Sequence, residues 1–196
     1  MATCRAVAAV SRAMLKLLED GCPRDEFPNA QFELRQALDF QKGALGEGVS
    51  LFLYRVAING TRRARPGRVE PDGRRFRPAL PLDLCYALCV WGRTIDVQHR
   101  LIGYAMRALD DTPILPPALL NQHGPESATF GTQEAVELVC DPVTLQDLHV
   151  LWDLLKPNVP LVTTYVARLV PIDSEIVVAE APLVQTRAFD MVGGPA

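Results

Sequence analysis

The residues able to do chemistry in this chain are three histidines, five cysteines, two acidic doublets, a glycine cluster and one dense run of arginines. His99, His123 and His149 fall on two predicted helices and a loop. None has a second histidine four residues away on one helix face, and no cysteine–histidine cluster of zinc-site spacing accompanies them. Cys4, Cys22, Cys85, Cys89 and Cys140 are odd in number and scattered, without a CxxC pair, which points to a reducing compartment rather than a disulfide framework. Cys85 and Cys89 sit four apart on one face of a predicted strand, roughly 13 Å at about 3.3 Å per residue, too far for a disulfide and suited to packing. Glu19-Asp20 and Asp110-Asp111 each close a predicted helix, where carboxylates are solvated and lack the burial that makes a general acid or base. Gly43, Gly46 and Gly48 lack the Lys-Ser/Thr ending of a phosphate loop and read as a turn feeding a strand. The sequence therefore predicts no catalytic site, no metal site and no cofactor.

The arginine run is different. Arg62, Arg63, Arg65, Arg68, Arg74, Arg75 and Arg77 place seven of the 20 basic residues in one segment, against Glu70 and Asp72. With a formal net charge of −3 the chain as a whole does not attract polyanions, and Phe76 alone interrupts the arginines with an aromatic ring. The run reads as a solvated flexible loop or as a contact for an acidic protein partner or a nucleic acid, and the lack of further aromatics disfavours stacking on single strands.

The elements that must carry these residues follow from periodicity. Val7, Val10, Met14, Leu17 and Leu18 make an amphipathic helix over residues 3–20, stopped by Gly21 and Pro23. Residues 31–38 alternate as a strand with one wet face. Residues 49–58 and 82–91 are apolar on both faces and predict two central, doubly covered strands. Residues 59–79, rich in Arg, Gly and Pro, form a long loop between them. Thr94 caps a helix to about Leu109, and residues 113–132 are a loop with a short turn at 118–120. A strand follows over 134–140. Thr144 opens a helix whose stripe of Leu145, Leu148, Leu151, Trp152 and Leu155 makes Trp152 a core anchor. Residues 161–172 predict a long strand and 176–184 one more. The fold class is α+β, a mixed sheet packed by a few helices. The longest stretch without Asp, Glu, Lys or Arg, Thr112 to Pro125, holds four prolines and cannot be a membrane helix. No secretory signal is legible, so the expected location is cytoplasmic.

Several motifs in order carry a resemblance. SLFLYRVAING (Ser50–Gly60), RPALPLDLCYAL (Arg77–Leu88), HRLIGYAMRALDDTPIL (His99–Leu115), LHVLWDLL (Leu148–Leu155) and TTYVARLVPIDS (Thr163–Ser174) resemble the cap, or tail terminator, proteins of phage-tail-like contractile injection systems of the Photorhabdus virulence cassette and antifeeding prophage type. The family more often has His at Cys85, Asn in the turn at Thr61-Arg62-Arg63 and Ser at Thr163. The resemblance implies a tail-terminator-like α+β domain over residues 1–174. It implies a ring, a hexamer, on the distal end of tube and sheath that ends their polymerisation and joins them, with no catalytic step, no nucleic acid and no membrane as partner. In that setting the seven arginines are candidate contacts to tube or sheath. Residues 175–196, with Ile176, Val177 and Val178, are a candidate subunit contact by strand addition. The rival expectation is a nucleic-acid-binding or enzymatic accessory of an injection-system gene cluster, which would need salt-steep binding or a pocket of paired titratable groups.

Overall fold

The computed structural model describes residues 2–61, 67–123 and 129–178. Its six strands form one mixed sheet in the order β1-β2-β3-β6-β5-β4: β1 (Gln31–Leu34), β2 (Gly48–Ile58), β3 (Leu80–Trp91), β4 (Ile114–Leu115), β5 (Val136–Cys140) and β6 (Leu161–Ile172). Only the β1–β2 pair is parallel. The long pairings β2–β3 and β3–β6 make β3 and β6 the centre, rather than β2 and β3 as the apolar runs suggest.

One sheet face packs against α1 (Ala6–Asp20), α3 (Ile95–Asp110) and α4 (Pro117–Gln122). Val10, Met14 and Leu18 of α1, Leu101, Ala105 and Leu109 of α3 and Leu120 of α4 meet Leu84, Tyr86, Leu88 and Val90 of β3 in the main core. Helix α1 begins close to its predicted start, and α3 is capped as its sequence requires: Thr94 Oγ1 accepts from the Val97 backbone N–H at 3.3 Å. Within this core Ser11 Oγ and the Tyr86 hydroxyl share a hydrogen bond of 2.8 Å, which satisfies two polar atoms that burial would otherwise penalise.

The opposite face is covered less completely, by α2 (Ala37–Lys42) and α5 (Leu145–Leu155). Phe40, Phe52, Ala87, Cys89, Trp91, Leu151 and Leu155 form a second, smaller core there. Helix α2 corrects the strand expected to run to Leu38. The strand ends at Leu34, and a capping box between Gln36 and Asp39 starts a helix that sends Phe40 inward and leaves Leu38 in solvent. Gly48 is required where β2 meets β1: its φ is +148°, and a Cβ there would lie 2.0 Å from the Gln31 carbonyl oxygen.

Two register shifts bend the sheet, one in β2 at Leu53/Arg55 and one between β3 and β6 at Leu82/Leu84. At the second, Leu169 takes a left-handed φ of 59°. The Asp83 carboxylate holds it there, accepting from the Leu169 N–H at 3.1 Å while Asn59 Nδ2 donates to both its oxygens at 2.9 and 3.0 Å. Double coverage of β2 holds only for its first half. Beyond the first shift Val56 and Ile58 share the main-core face with Leu84 and Leu82, yet they are 50% and 64% exposed.

Candidate assembly surfaces

The arginine-rich segment is not a structureless loop along its described length. Residues 67–77 make a small hairpin in which the Glu70 N–H donates to the Arg74 carbonyl at 3.0 Å and the Phe76 N–H donates to the Arg68 carbonyl at 2.8 Å. Gly73, with φ +85°, makes the turn. Phe76 is buried and the guanidinium of Arg68 lies over its ring, 4.1 Å from the centroid. Arg68 also pairs with Glu70, and Arg74 Nε pairs with Asp72 at 2.6 Å. The Arg74 backbone N–H, and after it the Arg74 guanidinium, hold Asp72 below the usual carboxylate range. The hairpin's own acids thus occupy two of the four described arginines. Arg75 and Arg77, both exposed and two apart on one strand face, make no ion pair among the described residues. Arg62, Arg63 and Arg65 lie outside the described residues.

The C-terminal segment joins this hairpin. The Arg77 N–H donates to the Ile176 carbonyl at 3.0 Å, and the Val178 N–H to the Arg75 carbonyl at 2.7 Å, so 176–178 form a third short strand beside 75–77. Ile176, Val177 and Val178 stay about half exposed. The expected strand over 176–184 is present as this pairing through Val178, and its remainder lies outside the described residues. Periodicity found the segment but not its partner, because strand pairing over a hundred positions of chain leaves no local signal.

Helix α5 supplies an apolar surface. Thr144 caps it as expected, accepting from the Asp147 N–H at 3.1 Å. At about 100° per residue, Leu148, Leu151 and Leu155 point to the sheet, Leu145 and Trp152 lie on one flank, and Val150 and Leu154 lie on the other. Only Leu151 and Leu155 are fully buried. Trp152 is 38% exposed and Leu145 85% exposed, which overturns the expectation of a Trp152 core anchor. The indole lies at the rim of the stripe, where the sheet no longer reaches it. On the other flank Val150 and Leu154 line a groove of about 610 Å³ with Tyr54, Arg55, Val143 and Asp147.

The remaining candidates do not converge. His99 and His149 are exposed on α3 and α5, and His123 ends α4. Cys85 and Cys89 are buried on one face of β3, as packing requires, and burial pushes the Cys89 thiol up to about 12, far from thiolate chemistry at neutral pH. Arg55 Nε donates to Cys85 Sγ at 3.3 Å. Asp110 and Asp111 are exposed and share Arg107. No group of three or more metal-capable side chains occurs among the described residues, and none of the described helices is long and apolar enough to cross a membrane.

These features define an α+β domain whose open surfaces are a basic hairpin and a half-covered apolar helix. The chain belongs to the Pvc16 N-terminal domain family, whose model matches residues 9–186. Among solved structures its fold is similar to the sheath/tube terminator of an extracellular contractile injection system, PVC, in the extended state: TM-score 0.61, 16% identity, over 97% of this chain and 64% of that one. It is also similar to the tube-terminating cap of the anti-feeding prophage: TM-score 0.56, 16% identity, over 94% and 60%. The chain spans less than two thirds of the length of each, and at this identity the likeness is one of fold. No curated protein is a significant match to the chain.

Proposed function

We propose that this chain is a structural cap of a contractile injection system, a ring on the distal end of the inner tube and sheath that stops their polymerisation and holds one to the other. The family match over residues 9–186 carries the reading, with the fold likeness to two terminators in support. The ring is a hexamer, assembled in the cytoplasm and acting without a catalytic step, cofactor, nucleic acid or membrane. Residues 1–174 are the domain, and 175–196 serve as a subunit contact through Ile176, Val177 and Val178. Negative-stain imaging of injection particles from cells lacking the protein tests the role. Tubes of uncontrolled or unstable length are expected, and particles of normal length and stability would refute it.

Within this role the arginine-rich segment contacts an acidic surface of tube or sheath. Arg62, Arg63, Arg65, Arg68, Arg74, Arg75 and Arg77 are its cations. The pairings of Arg68 and Arg74 concentrate the effect on Arg75 and Arg77. Exchanging these two for Gln is expected to change stability by no more than about 0.5 kcal/mol, since both are exposed. It should weaken retention on purified particles in a manner that rising salt mimics for the parent, because exposed charges are screened within about 8 Å at physiological ionic strength. Co-sedimentation at several salt concentrations reads this; retention equal to the parent throughout would remove the hairpin from the contact.

A further inference from the structure

We infer that the two open edges of the sheet, the second half of β2 and β4, pair with each other between successive copies of this chain, so that the sheet continues head to tail around the ring. The inference deepens the cap reading and rests on it.

Strand β1 covers β2 only at Gly48–Leu51, and the Arg35 N–H adds one bond to the Leu51 carbonyl. From Phe52 to Ile58 no described strand lies on the outer side of β2. At the far end of the sheet β4 is the last strand. Edges of isolated sheets are ordinarily blunted with charge or covered, because an open apolar edge recruits another strand. Here the edges carry Val56 and Ile58 on one side and Ile114, 58% exposed, on the other.

Registers place the two edges at one level. Ala57 pairs with Asp83; Leu82 and Leu84 pair with Val170 and Ala167, which brackets Asp83 beside Arg168 and Leu169; Arg168 pairs with Glu137, and Glu137 with Ile114. A single row therefore runs from Ala57 to Ile114 across the sheet. A closed ring needs two different patches on opposite sides of each subunit, and the ends of one row supply them. Charge is complementary as well. The open half of β2 presents Arg55, exposed and in no ion pair among the described residues, on the sheet face that Ala57 and Ile114 share. The β4 side presents exposed Asp110 and Asp111 sharing the single Arg107, with Glu137 3.6 Å from Arg168. Because β4 offers only two residues, main-chain bonds are few, and the apolar side chains and charges supply the rest of the contact.

The test uses the full chain in two variants, Val56→Lys with Ile58→Lys, and Ile114→Lys, each checked by circular dichroism and followed by light scattering. Each variant alone is expected to lose the ring and run as a monomer. An equimolar mixture is expected to give dimers and no rings, because each chain then keeps one half of the same contact. Wild-type rings with either variant still forming them, or a mixture that stays monomeric, would overturn the edge contact and leave the ring standing. A wild-type chain that stays monomeric even on purified tubes would instead overturn the ring, and this contact with it. If a lysine variant unfolds, Ala57→Cys/Ile114→Cys, the two ends of the row and on one sheet face, decides in a background lacking Cys4 and Cys140. The two sites lie about 19 Å apart within one chain, at four strand spacings of roughly 4.8 Å, so a disulfide can form only between copies. A ladder of linked oligomers supports the contact, and its absence in chains that form rings sinks it.

Discussion

Replacing Trp91 by alanine is expected to lower the stability of the fold by roughly 3–5 kcal/mol, while Trp152→Ala lowers it by no more than about 1 kcal/mol. Trp91 is 5% exposed in the second core. Its indole Nε1–H donates to Ser50 Oγ at 3.0 Å, and its ring stacks on Phe40 with centroids 6.1 Å apart at 28°. Arg35 lies over both rings, 5.4 Å from the Trp91 centroid and 5.7 Å from that of Phe40. Truncation leaves a large cavity between β3 and α2, removes the indole's hydrogen bond to the buried Ser50 hydroxyl and takes away the wall that α2 packs against. Trp152 has no such surroundings, and its loss uncovers little new surface. Urea denaturation of the two variants separates them. Equal losses would mean that α5 seats its indole against the sheet after all.

Removal of residues 175–196 is expected to leave a folded monomer that no longer forms the ring, the largest functional effect proposed for this chain. The described part of the segment touches the fold through two main-chain hydrogen bonds to the hairpin, and neither core includes Ile176, Val177 or Val178. Its loss therefore costs the domain little, on the order of 1 kcal/mol per hydrogen bond lost. In the assembly the half-exposed β-branched residues and the outer main-chain groups of the same segment join a neighbour, an interaction that tolerates side-chain change but not loss of the backbone. Size-exclusion with light scattering distinguishes the outcomes. A truncated chain that forms the parent oligomer would exclude the segment from the contact, and one that fails to fold would show that the hairpin and its third strand are integral to the domain.

What the sequence determined by itself is what local chemistry determines. The caps at Thr94 and Thr144 fix the starts of α3 and α5 because a hydroxyl within reach of the N–H three residues on satisfies a donor that no helical carbonyl can. Strand β3 is legible because burial on both faces demands an unbroken apolar run, and the mixed α+β class follows from the order of such elements. The ordered motifs were specific enough to indicate the cap family, which the match over residues 9–186 shows directly.

Tertiary structure decided the rest. A helical stripe states which side of α5 turns inward but not how much of that side the sheet covers; with Leu151 and Leu155 seated, Trp152 and Leu145 fall beyond the covered width. The apolar second half of β2 reads like its first, yet Val56 and Ile58 stay exposed among the described residues. An alternation that continues past Leu34 was overridden by the Gln36–Asp39 capping box and by the inward pull of Phe40. The hairpin at 67–77 and its partner at 176–178 are a hundred residues apart, and the row from Ala57 to Ile114 crosses five strands. Pairings of that separation are selected by whichever arrangement closes the core and satisfies the main chain, a property of the whole packing that no window of sequence contains.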